Sequence, residues 1–226
     1  MIKLYIGNKN YSSWSLRPWV LMRALEIPFE EVKIRFDSFD ADSNFKKTMG
    51  TLHPAASVPV LVDGQAVVPD TLAITEYLAE RFPDHNVWPA HPAERHQARV
   101  LAAIMHSGFG ALRHHCIMNI EADLPEIGAK LLKEEPDLTD DLAKLEALLA
   151  PHLQGHHYLF GEFSAADAFY VPVMSRLKTY DLPLSPALLA YRNRVLETPA
   201  MQAWIADALA EQDFLPFEEP YRQSRQ

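Results

Sequence analysis

Val58-Pro59-Val60-Leu61-Val62-Asp63-Gly64-Gln65-Ala66-Val67-Val68 reads as two short β runs joined by a turn. Asp-Gly between apolar runs is the strongest short-range hairpin signal. Pro59 inside the first run limits that strand to an edge, or makes the proline its opening residue. A cis Val58-Pro59 bond turns the Val58 N–H and C=O outward, where an extended peptide can pair with them. An ordinary trans proline at a strand start is the alternative reading. The elements on either side favour the cis form.

Upstream, Ile2 to Ile6 is a short β-rich run, and Gly7 to Ser13 is polar and turn-like. Residues 15–26 carry Leu16, Val20 and Ala24 at helical spacing, with Pro18 expected in the first turn, where its missing N–H costs little. Phe29 to Ile34 alternates as a strand. Phe36 to Thr51 is polar and irregular, with room for one short helix. Downstream, Asp70 or Thr71 caps a helix carrying Leu72, Thr75, Leu78, Ala79 and Phe82. The order β-α-β, then β-β-α, defines an α/β unit over residues 1–82. Residues 83–91 are a proline-rich linker. Residues 92–226 show no strand pattern. Their periodicity predicts one long helix over 93–119 and further helices over 126–134, 137–153, 164–179, 186–197 and 200–211. The tail from Pro216 to Gln226 is polar and expected to be only partly ordered.

Composition narrows the function classes. The 226 residues are 48% hydrophobic and 23% charged, enough to bury a sizeable core. Lys and Arg number 21 against 30 Asp and Glu, a formal net charge of −9, so nucleic acid is a poor partner. The single cysteine, Cys116, excludes an internal disulfide framework and any multi-cysteine metal site. A reducing, cytoplasmic setting fits. No apolar run reaches the length of a membrane span, and Met1 to Gly7 is too short for a signal peptide.

Four motifs stand in a telling order: Ser12-Ser13-Trp14-Ser15-Leu16-Arg17-Pro18-Trp19, Ser57-Val58-Pro59-Val60-Leu61, Asp70-Thr71-Leu72-Ala73-Ile74-Thr75-Glu76-Tyr77-Leu78 and Gly161-Glu162-Phe163-Ser164-Ala165-Ala166-Asp167. In that order and spacing, over residues 2–212, the chain resembles a cytosolic glutathione transferase. It looks most like the serine-type bacterial members near the zeta class, the maleylacetoacetate isomerases. The resemblance implies a thioredoxin-like N-terminal domain, an all-α helical bundle as C-terminal domain, glutathione as co-substrate, a small electrophile as second substrate and a homodimer.

The chemistry can be argued beside the resemblance. Ser12 and Ser13 stand just before a helix, whose N-terminus carries partial positive charge and free N–H donors. Such a place lowers a thiol pKa from about 8.5, and a serine hydroxyl there can donate to a thiolate. The nucleophile is then the sulfur of the bound tripeptide, and the serine supports it. A plain N-cap is the competing role. The zeta-like register favours Ser12 and counting back from Arg17 favours Ser13; Ser12 is the expected partner of the sulfur, with Ser13 next. The resemblance further implies that Arg17, Ser57, the Val58 backbone, Pro59, Asp70 and Thr71 bind glutathione.

The chain departs from the zeta pattern at several points. Trp14 stands where that pattern has cysteine. Ala56-Ser57 replaces Lys-Gln before the Val-Pro, which weakens contacts to the glycine end of the tripeptide. Asp70-Thr71 replaces the usual Glu/Gln-Ser pair, keeping a carboxylate and a hydroxyl with one methylene fewer.

His106, Phe109, Gly110 and Arg113 recur at i, i+3, i+4 and i+7 of the expected long helix and so share one face. Arg113, with Tyr11, His106 and Phe109, is expected to recognise an acidic or aromatic second substrate, since arginine holds carboxylates bidentately. Ser164 to Asp167 is a capping-box pattern with a structural role. The pairs His114-His115 and His156-His157 are poorly placed to share a metal, and none is expected. Cys116 reads as a small buried residue. Two further readings compete with the transferase. A thiol oxidoreductase needs a cysteine where Ser12 and Ser13 stand. A non-catalytic module of the same fold has no use for the serine pair or for Asp70-Thr71.

Overall fold

The β hairpin forms as read. In the computed structural model, which describes residues 1–225, four strands make one sheet: β1 (Lys3–Ile6), β2 (Glu30–Lys33), β3 (Val60–Asp63) and β4 (Ala66–Pro69). The spatial order is β2-β1-β3-β4. β1 pairs parallel with β2 and antiparallel with β3. The hairpin register sets Val60 opposite Pro69 and Asp63 opposite Ala66. Gly64 takes φ +61 in the turn, a conformation glycine adopts without strain.

Three helices complete this half: α1 (Ser13–Ala24), α2 (Asn44–Gly50) and α3 (Thr71–Arg81). α1 begins at Ser13, so Pro18 lies in its second turn rather than its first, a correction to the sequence reading. The missing N–H there leaves the Trp14 carbonyl without its helical partner. α2 is the short helix of the irregular stretch, capped by the Ser43 side chain.

From Pro92 onward the chain is helical: α4 (Pro92–Ser107), α5 (Gly110–His115), α6 (Pro125–Glu134), α7 (Pro136–Leu149), α8 (Ala165–Thr179), α9 (Pro186–Leu196) and α10 (Pro199–Glu211). The single helix expected over 93–119 is two. A Cβ on Gly108 would lie 2.7 Å from the Ile104 carbonyl oxygen, and Phe109 takes a left-handed conformation (φ 57). Helical periodicity therefore does not carry from His106 to Arg113. The segment expected to end at 153 closes α7 at Leu149, followed by a 3-10 turn over Ala150–His152.

α8 is buried along nearly its whole length and forms the spine of the core, against α1, α4 and α9. Its start is the capping box read from sequence. Asp167 accepts from the backbone N–H groups of Ser164 (3.0 Å) and Leu159 (3.1 Å), from the Ser164 hydroxyl (3.2 Å) and from the Tyr191 hydroxyl (2.9 Å).

Lys9 joins the two halves. Its buried ammonium pairs with Glu31 (2.7 Å) and Asp207 (2.5 Å) and lies over the rings of Trp19 (4.6 Å) and Trp204 (5.3 Å). Such cation–π contacts strengthen when water is excluded.

The tail is ordered through residue 225, against expectation. A 3-10 turn covers Pro216–Glu218. Buried Glu219 accepts from the Tyr11 hydroxyl (2.7 Å), from Asn119 Nδ2 (2.8 Å) and from Arg222 (2.6 Å). Arg222 also reaches Glu121 (3.3 Å), and Arg225 pairs with Glu121 as well. Apart from the local Glu219–Arg222 pair, these partners lie a hundred or more positions apart in the chain, so no local pattern announces them. Among the described residues no helix is long and apolar enough to cross a membrane.

Candidate functional site

A cavity of about 360 Å³ opens where the N-terminus of α1 meets the helical half. Tyr11, Ser12, Ser13, Trp14, Ser57 and Val58 line one side, with Lys46 and the rings of Phe36, Phe39 and Phe45 beside them. Arg113, Ile117, Met118, Arg176 and the tail residue Glu218 line the other.

The two serines divide their work. Ser12 is the N-cap of α1: its Oγ accepts from the Ser15 N–H (3.4 Å) and donates to Ser15 Oγ (2.7 Å). Ser15 Oγ in turn accepts from the Gly7 N–H (3.1 Å). Ser13 Oγ accepts from Arg176 Nη2 at 3.1 Å, which leaves its own proton to point elsewhere. No acidic residue occupies the first turn of α1, so nothing there opposes the positive end of the helix.

Three guanidinium groups gather behind this helix end. Arg176 is buried and also donates to the carbonyls of Cys116 (2.8 Å) and Pro172 (3.2 Å). Burial first, then the Arg113 charge, pulls it down to about 10. Arg17 is 1% exposed, stacked between Trp14 (4.2 Å) and Phe169 (5.2 Å). Its Nε and Nη1 are buried without a hydrogen-bond partner. Burial, then Arg176 and Arg113, pulls it down to about 9. Arg17 lies beneath Trp14 rather than in the cavity lining, and Pro59, Asp70 and Thr71 also stand outside that lining, along the neighbouring helix and hairpin ends. Arg113 does line the cavity. It stacks on Trp14 (5.0 Å) and donates to the Gly108 carbonyl (3.4 Å), tying down the end of α4.

The Val58-Pro59 peptide is cis, as the element order suggested. Val58 makes none of the strand, loop or turn hydrogen bonds among the described residues, so its N–H and C=O are available at the cavity wall. The hairpin register brings Asp70 next to Pro59. Asp70 takes φ 75, ψ 141, a region that costs a non-glycine residue about 1–3 kcal/mol. Its Oδ1 accepts from the N–H groups of Leu72 (2.8 Å) and Ala73 (3.3 Å), while Oδ2 faces His106 Nε2 at 3.3 Å. Thr71 is buried, and its hydroxyl meets His106 Nδ1 at 3.4 Å.

Two residues expected at the electrophile lie elsewhere. His106 packs on Asp70, Thr71 and the edge of Trp14 (5.2 Å), at the opposite end of the site. Burial lowers its pKa, against the Asp70 charge. Phe109 is buried against Tyr170 (6.3 Å), because the break at Gly108 turns it into the core. Tyr11 lines the cavity, with its hydroxyl engaged by Glu219. Cys116 is buried, and burial pushes its thiol up to about 12. Sequence reasoning missed Trp14, Lys46, Ile117, Met118, Arg176 and Glu218 as lining residues. Arg176 carried a visible signal: an arginine one heptad after Phe169, following the apolar run from Ala168 to Met174.

His115 Nε2 lies 3.6 Å from Glu135 and 3.7 Å from Asp137, an ion-pair cluster outside the cavity lining.

Comparison with known proteins agrees with this geometry. Residues 11–81 match the family model for the glutathione S-transferase N-terminal domain, and residues 135–207 match that for the C-terminal domain. A probable maleylacetoacetate isomerase of Caenorhabditis elegans is 30% identical over 90% of this chain and 91% of its own. A stringent starvation protein A homolog of Coxiella burnetii is 24% identical over 83% of this chain and 87% of its own. Among solved structures, a glutathione transferase homolog from Burkholderia GL BGR1, with bound glutathione, superposes with a TM-score of 0.68. It is 22% identical, and the match covers 92% of this chain and 98% of that one. With both domain models matched in order and a 30% identical relative aligned nearly end to end, the chain belongs to the glutathione S-transferase family.

Proposed function

We propose that this protein binds glutathione in the α1–Val58–Asp70 cleft, ionises its thiol and directs the sulfur at a small electrophile that bears a carboxylate. The product is either a conjugate or, after the sulfur leaves again, a geometric isomer. The reading divides the labour: residues 1–82 hold glutathione, 83–91 connect, and 92–226 build the electrophile pocket. It includes a homodimer in a reducing, cytoplasmic setting. Sedimentation at a single chain's mass would remove the dimer from it.

The observation that carries this reading is the pairing of Ser13 with Arg176. A buried guanidinium donating to Ser13 Oγ fixes the hydroxyl as an acceptor on that side and presents its proton to the cavity. In the cleft, the unpaired Val58 backbone suits the cysteinyl amide of an extended tripeptide. Asp70 and the Thr71 N–H suit the amino and carboxylate ends of a γ-glutamyl group. Lys46 Nζ, held by the Ala56 carbonyl at 3.0 Å, compensates at the glycine carboxylate for the missing Lys-Gln. Arg113 faces the second substrate and favours a carboxylate.

Ser13 donates to the sulfur in this reading, and Ser12 caps the helix. Ser13→Ala should then lower kcat by about 10- to 150-fold, the worth of a hydrogen bond to a charged group of about 1.5–3 kcal/mol. The thiolate absorbance of bound glutathione should titrate at higher pH. Ser12→Ala should instead lose about 1 kcal/mol of stability, as for other N-caps. The reverse pattern would assign the sulfur to Ser12.

Thermal unfolding with and without millimolar reduced glutathione tests the whole reading. At a hundredfold excess over Kd, binding adds about 2.7 kcal/mol. Asp70→Asn keeps a good N-cap that tolerates positive φ and removes the charge. It should unfold near the wild-type temperature alone and lose most of the glutathione shift. The similarity to a relative not named as a transferase, a stringent starvation protein A homolog, leaves one other reading, a non-catalytic module of the same fold. Absence of any glutathione shift in the wild type would favour that module.

A further inference from the structure

Among the described residues Glu218 is the only carboxyl residue in the cavity lining, which it shares with Arg113, Arg176 and Lys46. The positive groups have other work. Arg176 donates to Cys116, Pro172 and Ser13, Lys46 to Ala56, and Arg113 to the end of α4. Glu219, the next residue, is fully engaged by Tyr11, Asn119 and Arg222. The Glu218 carboxyl, by contrast, accepts no hydrogen bond and forms no ion pair within 4.0 Å among the described residues.

Its position is nonetheless fixed. The Glu218 N–H donates to the Leu215 carbonyl (2.8 Å), and Phe217 packs on Phe39 (5.3 Å). Leu215 is buried, and its N–H donates to the Tyr11 hydroxyl (3.3 Å). The tail therefore presents a spare carboxyl to the same cavity that receives the Ser13 hydroxyl. Burial pushes that carboxyl up to about 7, with Arg176 opposing and Glu219 reinforcing, so a large share is protonated near neutral pH.

We propose that Glu218 is a catalytic acid for addition of glutathione to an activated alkene. This rests on the glutathione-dependent reading above. In the step, the thiolate electron pair forms the C–S bond at the β-carbon of an unsaturated ketone. The alkene π pair moves onto the carbonyl as an enolate. The Glu218 carboxyl gives its proton to the α-carbon and becomes a carboxylate. The proton released when the next glutathione thiol ionises restores it, so the proton lost from sulfur equals the proton gained by carbon. Displacement of halide from an aromatic ring needs no such donor, because the leaving group departs with its electron pair.

The test compares two probes, ethacrynic acid as the unsaturated ketone and chlorodinitrobenzene as the aryl halide, in wild type and Glu218→Gln. General acid catalysis is worth about 10²-fold or more, so the kcat ratio of ketone to aryl halide should fall about 10- to 100-fold in the variant. The wild-type ketone rate should decline as pH rises through about 7, where Glu218 loses its proton. That falling limb should be absent from Glu218→Gln. Lys46, Arg113 and Arg176 share the cavity with Glu218, Glu219 adjoins it in the chain and Tyr11 lines the same wall, so the loss of the limb in Glu218→Gln is what assigns it to Glu218. An unchanged ratio, or a limb that survives the substitution, overturns the role of Glu218. A wild type that binds no glutathione, or turns over neither probe, overturns the glutathione-dependent reading itself, a result seen before any variant is made.

Discussion

Asp167→Ala should lower the unfolding free energy by about 3–5 kcal/mol, the range for breaking a buried polar network. The carboxylate satisfies two backbone N–H groups and two hydroxyls inside the core. Truncation orphans all four donors and removes the cap of α8, the helix against which α1, α4 and α9 pack. For a chain of this size, each kcal/mol moves Tm by about 2–4 °C, so a fall of about 10 °C is expected. A loss below about 1 kcal/mol in urea titration would show that the network is replaceable. The group also shapes pH dependence. Burial raises Asp167 to about 6 despite its four donors. The folded state then binds more protons than the unfolded one between about pH 4, near the free aspartate value, and pH 6. Stability from this group is greatest below about pH 4 and declines as pH rises through about 6. Asp167→Asn should flatten that slope.

Arg17→Met should move stability the other way. Two of the three guanidinium nitrogens are buried without partners, and among the described residues no carboxylate lies within ion-pair distance, Asp70 acting only from farther off. Replacing a buried charge with an apolar chain of similar volume often adds about 1–4 kcal/mol. Methionine retains the contact with Trp14 and Phe169 that the arginine stem makes. The gain should come with lost activity, because Arg17, Arg113 and Arg176 together make the helix end positive, and a positive surrounding favours the thiolate. The thiol of bound glutathione should titrate at higher pH in the variant, with kcat/KM at neutral pH falling about tenfold for each unit of that rise. A variant both less stable and fully active would refute the assignment.

Much of this fold was readable because its decisive features are local. The hairpin turn at Asp63-Gly64, the cap at Asp70 and the box from Ser164 to Asp167 are each set within a few residues. The break between α4 and α5 was not readable, because the apolar period continues through it. What ends the helix is the closeness of Ile104 O to any Cβ on Gly108, together with the pull of the core on Phe109. That error placed His106 and Phe109 at the electrophile, when one serves Asp70 and the other the interior. Ser12, Ser13 and Asp70 mark themselves locally as turn and cap residues, whereas Val58 rests on the resemblance and Arg113 on the helix face that the break at Gly108 interrupts. Lys46, Arg176 and Glu218 reach the cavity only through tertiary approach, and Glu219 meets Tyr11 across 208 positions. No spacing rule spans such a distance.

Lys9 has a spectroscopic consequence. Trp19 in α1 and Trp204 in α10 stand 5.1 Å apart, with one ammonium over both rings. A cation over an excited indole shifts and dims its emission, so this pair reports whether α10 is seated on the first half of the chain. Trp14 lines the cavity beside two guanidinium groups, so its emission should answer to occupancy of the cleft. With Trp88 as a constant background, the protein carries one native dye for assembly of its halves and one for its cleft. Phenylalanine at position 14 or 204 would separate their colours.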